Sequence, residues 1–325
     1  MLELTRSVAE RAKGVASVAA HNLATQDVIA LAFHGYLFTR VLLAPDSPDA
    51  ALARSASFTL LMATVFALLL TRGELIQPQR ARVLTYRLGL FVPMALSYFE
   101  MRFLLPALQL ELMDYQLYAV DRALLGTTPA AWFTAWNHPG LVEWLSFFYY
   151  SHFAVLIVML VPSLFLQRGR RLQELMVGAL VIVAAGHVLY TAIPGMGPFS
   201  TLHFEEPLHG GYWWRQVQIT VATAGAKLDI FPSLHTAFPV YFANYAFAYR
   251  SDKAFRWAWP VLAFIAVNIV FATMFLRWHW FIDVVAGIVL AVVARRVSVW
   301  VTHRERHRGG LYDERQPSWE SLPRA

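Results

Sequence analysis

The feature that most constrains this chain is a set of long stretches holding no Asp, Glu, Lys or Arg, at residues 55–71, 144–167, 175–194, 230–249 and 257–276. A bilayer core of ~30 Å takes ~20 apolar residues in a helix at 1.5 Å each, so every one of these stretches predicts a membrane-crossing helix. Three further apolar stretches carry charges. They lie at about 28–43 with Arg40, about 88–108 with Glu100 and Arg102, and about 280–299 with Asp283, Arg295 and Arg296. The expected fold is therefore all-α, a polytopic bundle of about eight spans. Composition agrees: 58% of the 325 residues are hydrophobic and 15% charged, against roughly 45–50% and roughly 25% in soluble domains. A soluble domain and a disordered chain are both excluded.

The segments outside the spans read differently. Within 1–26, Leu4, Val8, Arg11, Val15 and Val18 recur at helical spacing without an unbroken apolar run, which predicts an interfacial amphipathic helix and not a secretory signal. Residues 109–140, with Asp114, Asp121, Arg122, Pro129 and several Trp, read as a surface element. The last segment, 301–325, reads as a basic, flexible tail. Twenty of the 27 basic residues collect on one face: Arg6 to Lys13, Arg72 to Arg87, Arg168 to Arg171, Arg250 to Arg256 and Arg295 to Arg324. By the positive-inside rule both termini are cytoplasmic. The same bias accounts for the net charge of +6 through contact with membrane lipids, without a nucleic-acid partner. The absence of cysteine excludes structural disulfides, iron–sulfur clusters and thiolate zinc sites.

Two segments place ionisable groups at helix starts on the opposite, extracytoplasmic face. In Phe231-Pro232-Ser233-Leu234-His235 a proline and a hydroxyl ahead of an apolar run signal a helix start, where backbone amides and the positive helix end favour an anion such as phosphate. In Arg277-Trp278-His279-Trp280-Phe281-Ile282-Asp283 the imidazole and the carboxylate are four residues apart, on one helix face. A carboxylate at one imidazole nitrogen fixes the tautomer and leaves the other nitrogen as base or nucleophile. Packing of the two helices would join His235 to His279.

These residues resemble the second and third motifs of the type 2 phosphatidic acid phosphatase superfamily, most closely its inositol phosphorylceramide synthase-like branch. Looser matches at Asp121–Gly126 and Ile193–Pro198 extend the resemblance over 121–287. It implies a six-helix core at 86–300, preceded by two helices at 27–85, and a lipid phosphate or phospholipid substrate with no cofactor or metal. It further implies that His279 attacks phosphorus, Asp283 orients it, and His235 protonates the departing alkoxide. The family's first motif, a Lys followed by Arg-Pro, has no match, and its Ser-Arg pair falls on Ala272 and Thr273. The phosphate clamp is then expected from Arg277 first, or from Lys227, Arg102 or backbone amides of the 194–198 turn including Gly197, alongside Ser233.

Other polar residues carry plainer expectations. His34, His152 and His187 read as hydrogen-bonded packing residues, Glu100 with Arg102 as a bundle anchor, and Lys227 with Asp229 as a loop ion pair. The outer loop at 195–229 is a candidate cover for the site. A transporter or flippase, or a catalytically inactive lipid-binding relative, is the competing reading, although the chain shows no internal repeat of the transporter kind. The expected location is a bacterial plasma membrane with the site on its extracytoplasmic side.

Overall fold

The computed structural model describes residues 13–223, 226–311 and 319. The parts of the amphipathic and tail segments expected at 1–12, 312–318 and 320–325 lie outside the described residues. Residues 13–22 are helical. Ten helices of twelve residues or more follow: α1 Thr25–Leu42, α2 Pro48–Arg72, α3 Gln79–Ala107, α4 Asp114–Leu125, α5 Pro139–Leu166, α6 Gly169–Tyr190, α7 Tyr212–Thr223, α8 Leu234–Ala248, α9 Lys253–Phe275 and α10 Phe281–Leu311. The described residues contain no strand, only one isolated bridge between Gly195 and Asp229.

Six of these helices, α2, α3, α5, α6, α9 and α10, are long and apolar enough to cross a bilayer. The other two expected spans are also helices, but shorter. α1 has 18 residues and α8 has 15, so α8 rises only ~22 Å. Helix starts follow the local chemistry: the Ser47 hydroxyl accepts from the Ala50 amide ahead of Pro48, and the His138 ring accepts from Gly140 ahead of Pro139. α10 does not stop near 300 but continues to Leu311, so the first part of the expected tail is helical.

α6 is the most enclosed of these six, with 72% of its apolar stretch buried, and it packs against α1, α3, α8 and α10. α8 and α10 meet where Gly287 lies on the Ser233 carbonyl; a Cβ there would come within 2.5 Å of that oxygen. The bundle's second end is tied by buried ion pairs. Arg72 Nε donates to Asp27 Oδ2 at 2.7 Å, and Tyr86 Oη donates to Asp27 Oδ1 at 2.6 Å. Gln26 and Arg72 both donate to Tyr86 Oη. Nearby, Glu174 accepts from Arg170, Arg295 and Tyr249. Trp319 is buried beside Tyr86, and its carbonyl accepts from Gly169 and Arg87.

Candidate active site

The two motifs fold as helix starts and bond directly to each other. Ser233 is the N-cap of α8, its hydroxyl accepting from the Thr236 amide at 3.2 Å, while its own amide donates to the Asp283 carbonyl at 3.0 Å. At the head of α10, Asp283 Oδ2 accepts from the Trp280 amide at 2.8 Å and lies 3.4 Å from His279 Nδ1. Both side chains are buried. The His235 and His279 ring centroids are 6.2 Å apart, so residues 44 positions apart in the chain share one site. From α5, Tyr149 stacks on the His235 ring at 4.4 Å and 10°, and the His152 ring lies 4.2 Å from it.

Both imidazoles line a cavity of about 630 Å³. Lys227 and Asp229 enter it from the loop before α8, and Tyr98, Tyr149, Tyr190 and Trp278 add polar edges. The rest of the wall is apolar: Phe91, Met94 and Phe99 from α3, and Leu156, Ile157, Leu160 and Val161 from α5. His152 and Val161 are nine residues apart on one helix, so the apolar wall runs ~13 Å away from the histidines. That is a polar head joined to a greasy groove. Phe99, Ile157 and Val161 are also exposed on the outer surface of the bundle, so the groove opens sideways between α3 and α5.

Electrostatics favour a neutral imidazole at His279. Burial pushes the His279 imidazole down to about 4, with the Asp229 carboxylate and the backbone of Ile230 acting in the opposite direction. Near neutral pH the ring therefore keeps a free lone pair. Burial pushes the Asp229 carboxyl up, with His279 opposing. Among the described residues no group of three His, Asp or Glu side chains is arranged to hold a metal ion.

The other expected substrate contacts are placed elsewhere. Arg277, at φ 67°, turns away from the cavity: its Nη1 donates to the Glu206 carbonyl at 3.0 Å and its guanidinium covers the Phe204 ring at 3.8 Å. It ties the outer loop to the histidine motif. Arg102 is exposed and donates to the Thr223 carbonyl at 2.8 Å. The amide expected of Gly197 is already taken by Asp114 Oδ1 at 2.8 Å, and that of Met196 by Asp114 Oδ2 at 2.9 Å. Gly197 is required for another reason. Its φ is 88°, and a Cβ would meet the Trp278 carbonyl at 2.2 Å. Of the expected basic ligands only Lys227 lines the cavity.

Asp114 and Asp121 are the residues that sequence reasoning places on the surface and the structure buries. Asp121 accepts from the Phe281 and Ile282 amides, at 2.8 and 3.0 Å, and from the Thr128 hydroxyl. Together with Asp283, which takes the Trp280 amide just ahead of α10, it occupies three consecutive amides at the helix start, 280–282, which are therefore closed to phosphate. Asp114 accepts from the Trp280 indole as well as from the 196–197 turn. Asp121 carries a signal in the chain, since it opens the loose match at 121–126. Asp114 carries none, because its partners are 82 to 166 residues away. Sequence reasoning also gives His152 and Asp229 structural roles, yet both face the cavity.

Comparison with known families matches residues 115–297, from α4 through the first half of α10, to the PAP2 superfamily. No curated protein and no solved structure matches the chain.

Proposed function

The chain belongs to the PAP2 superfamily, and on that premise we propose that it is an integral-membrane phosphatase or phosphotransferase that cleaves a lipid phosphate or phosphodiester through a phosphohistidine. The observation that carries this reading is the shared cavity: His279 and His235 line one chamber with centroids 6.2 Å apart, and an apolar groove leads away from them. In the first step His279 Nε2 attacks phosphorus, a P–N bond forms and the P–O bond to the alcohol breaks. His235 gives its proton to the departing alkoxide. Asp283, 3.4 Å from Nδ1, steadies the imidazolium charge that develops. In the second step water or another alcohol gives a proton to His235, attacks phosphorus and releases His279. The acyl chains occupy the groove between α3 and α5.

Water as acceptor makes the enzyme a phosphatase; a lipid or polyol makes it a transferase of the inositol phosphorylceramide synthase kind. The missing Lys and Arg of the first family motif favours the second form. The basic loops lie at the opposite helix ends, which supports a site on the extracytoplasmic side, in a bacterial plasma membrane. The test is to supply purified protein with a phospholipid labelled at phosphorus. Label released into water, as free phosphate from a monoester or a phosphorylated headgroup from a diester, marks hydrolysis, and label in a new lipid marks transfer. An acid-labile phosphoenzyme that is absent from His279→Ala supports the intermediate, whereas turnover surviving in that variant removes it.

A further inference from the structure

Two imidazoles that neither motif includes also line the cavity: His187, whose Nδ1 pairs with the Ser97 hydroxyl, and His152. His152 is on α5, three residues after Tyr149, so the two share a helix face and both press on His235. It is only 4% exposed, its ring lines the cavity, and its Nδ1 is buried without a hydrogen-bond partner. His235 Nε2 is in the same condition. A buried imidazole nitrogen left unpaired is costly, and a phosphate oxygen in the chamber is a partner that the cavity-lining edge of the His152 ring can take. A neutral imidazole offers one N–H and one lone pair, and a phosphate group has oxygens to meet such donors. Of the three cations expected to hold phosphate, only Lys227 lines the chamber; Arg277 donates to Glu206 and Arg102 to Thr223.

We propose that His152 is a phosphate ligand, donating to a non-bridging oxygen of the phosphoryl group and, with Lys227, replacing the clamp that the sequence lacks. The proposal rests on the phosphoryl-transfer reading given above. In this role the ring does two jobs. One face supports His235, and one edge holds the substrate's oxygen in the chamber.

Two substitutions separate these jobs. His152→Phe keeps a flat ring against His235 and removes both nitrogens; His152→Gln removes the ring and keeps an N–H donor. The measurement is inhibition of phosphatidic acid turnover by inorganic phosphate, with the full-length protein in mixed micelles. The expected result is that His152→Phe raises the phosphate inhibition constant at least tenfold and His152→Gln recovers most of the loss. An inhibition constant within twofold of wild type in His152→Phe overturns the assignment, as does a Gln variant no better than Phe. Should the Phe variant fail to fold, His152→Met supplies the donor-free side chain for the same comparison. Wild-type protein with no turnover of any lipid phosphate sinks the functional reading itself, whereas turnover with unchanged phosphate inhibition sinks only the role of His152.

Discussion

Two buried polar clusters occupy the two ends of the bundle, and they are built on opposite plans. Around Asp27, Arg72 and Tyr86, cation meets carboxylate and the Tyr86 hydroxyl collects further donors from Gln26 and Arg72. Around His279 the carboxylates are spent on backbone amides, while His235 Nε2 and His152 Nδ1 have no hydrogen-bond partner. Tyr86 and Tyr98, one from each region, are twelve residues apart on α3, or ~18 Å. The first plan uses its charged groups in holding helices together. The second fixes its frame through Asp114, Asp121 and Asp283 and leaves imidazole edges for a ligand. On the proposed function, the contrast separates groups that serve stability from groups that serve chemistry.

Single substitutions should split along that line. The largest effect is expected for His279→Ala, with turnover falling below about 10⁻⁴ of wild type while the thermal midpoint in micelles stays within a few degrees. Arg72→Met should do the reverse. Leaving Asp27 buried without its cation costs roughly 3–5 kcal/mol, visible as a lower melting temperature, with kcat of the surviving folded protein within twofold. A stable Arg72→Met with impaired turnover would break the comparison. Asp121→Ala should fall between, because it frees two α10 amides and the Thr128 hydroxyl: about 2 kcal/mol of stability is lost, and turnover drops because His279 is held by the same helix start.

The smallest effect is in the pH profile. With His279 held down to about 4, the neutral ring persists until pH falls through that value, so kcat/KM of the free enzyme should lose activity near pH 4 and not near 6.5. Asp229 favours the protonated ring. Asp229→Asn should therefore move this acid limb to lower pH, and a limb that moves up would contradict the placement of the carboxylate beside His279.

Much of the molecule is legible in the chain where the relevant forces are local. Charge-free stretches mark the helices, and the four-residue offset of His279 and Asp283 puts them on one face by helical periodicity alone. What stays hidden depends on distant partners. Asp121 looks like a surface acid until α10 is placed on it from 160 residues away, and His152 looks like packing until α8 brings His235 against it. Arg277 adjoins the motif and so reads as the natural clamp; a positive φ, the Glu206 carbonyl and the Phe204 ring hold it buried under the outer loop, which adjacency in sequence cannot express. Ser233 keeps its helix-capping role, but its hydroxyl is consumed by the Thr236 amide.

The sideways opening of the groove, where Phe99, Ile157 and Val161 are both lining and exposed, changes what substrate concentration means for this protein. A molecule entering there arrives by diffusion within a leaflet. Its supply is then set by mole fraction among the surrounding lipids and not by amount per volume of water. Diluting the substrate with inert lipid should slow the enzyme even when the total quantity in the tube is constant, and adding buffer should leave the rate per enzyme unchanged.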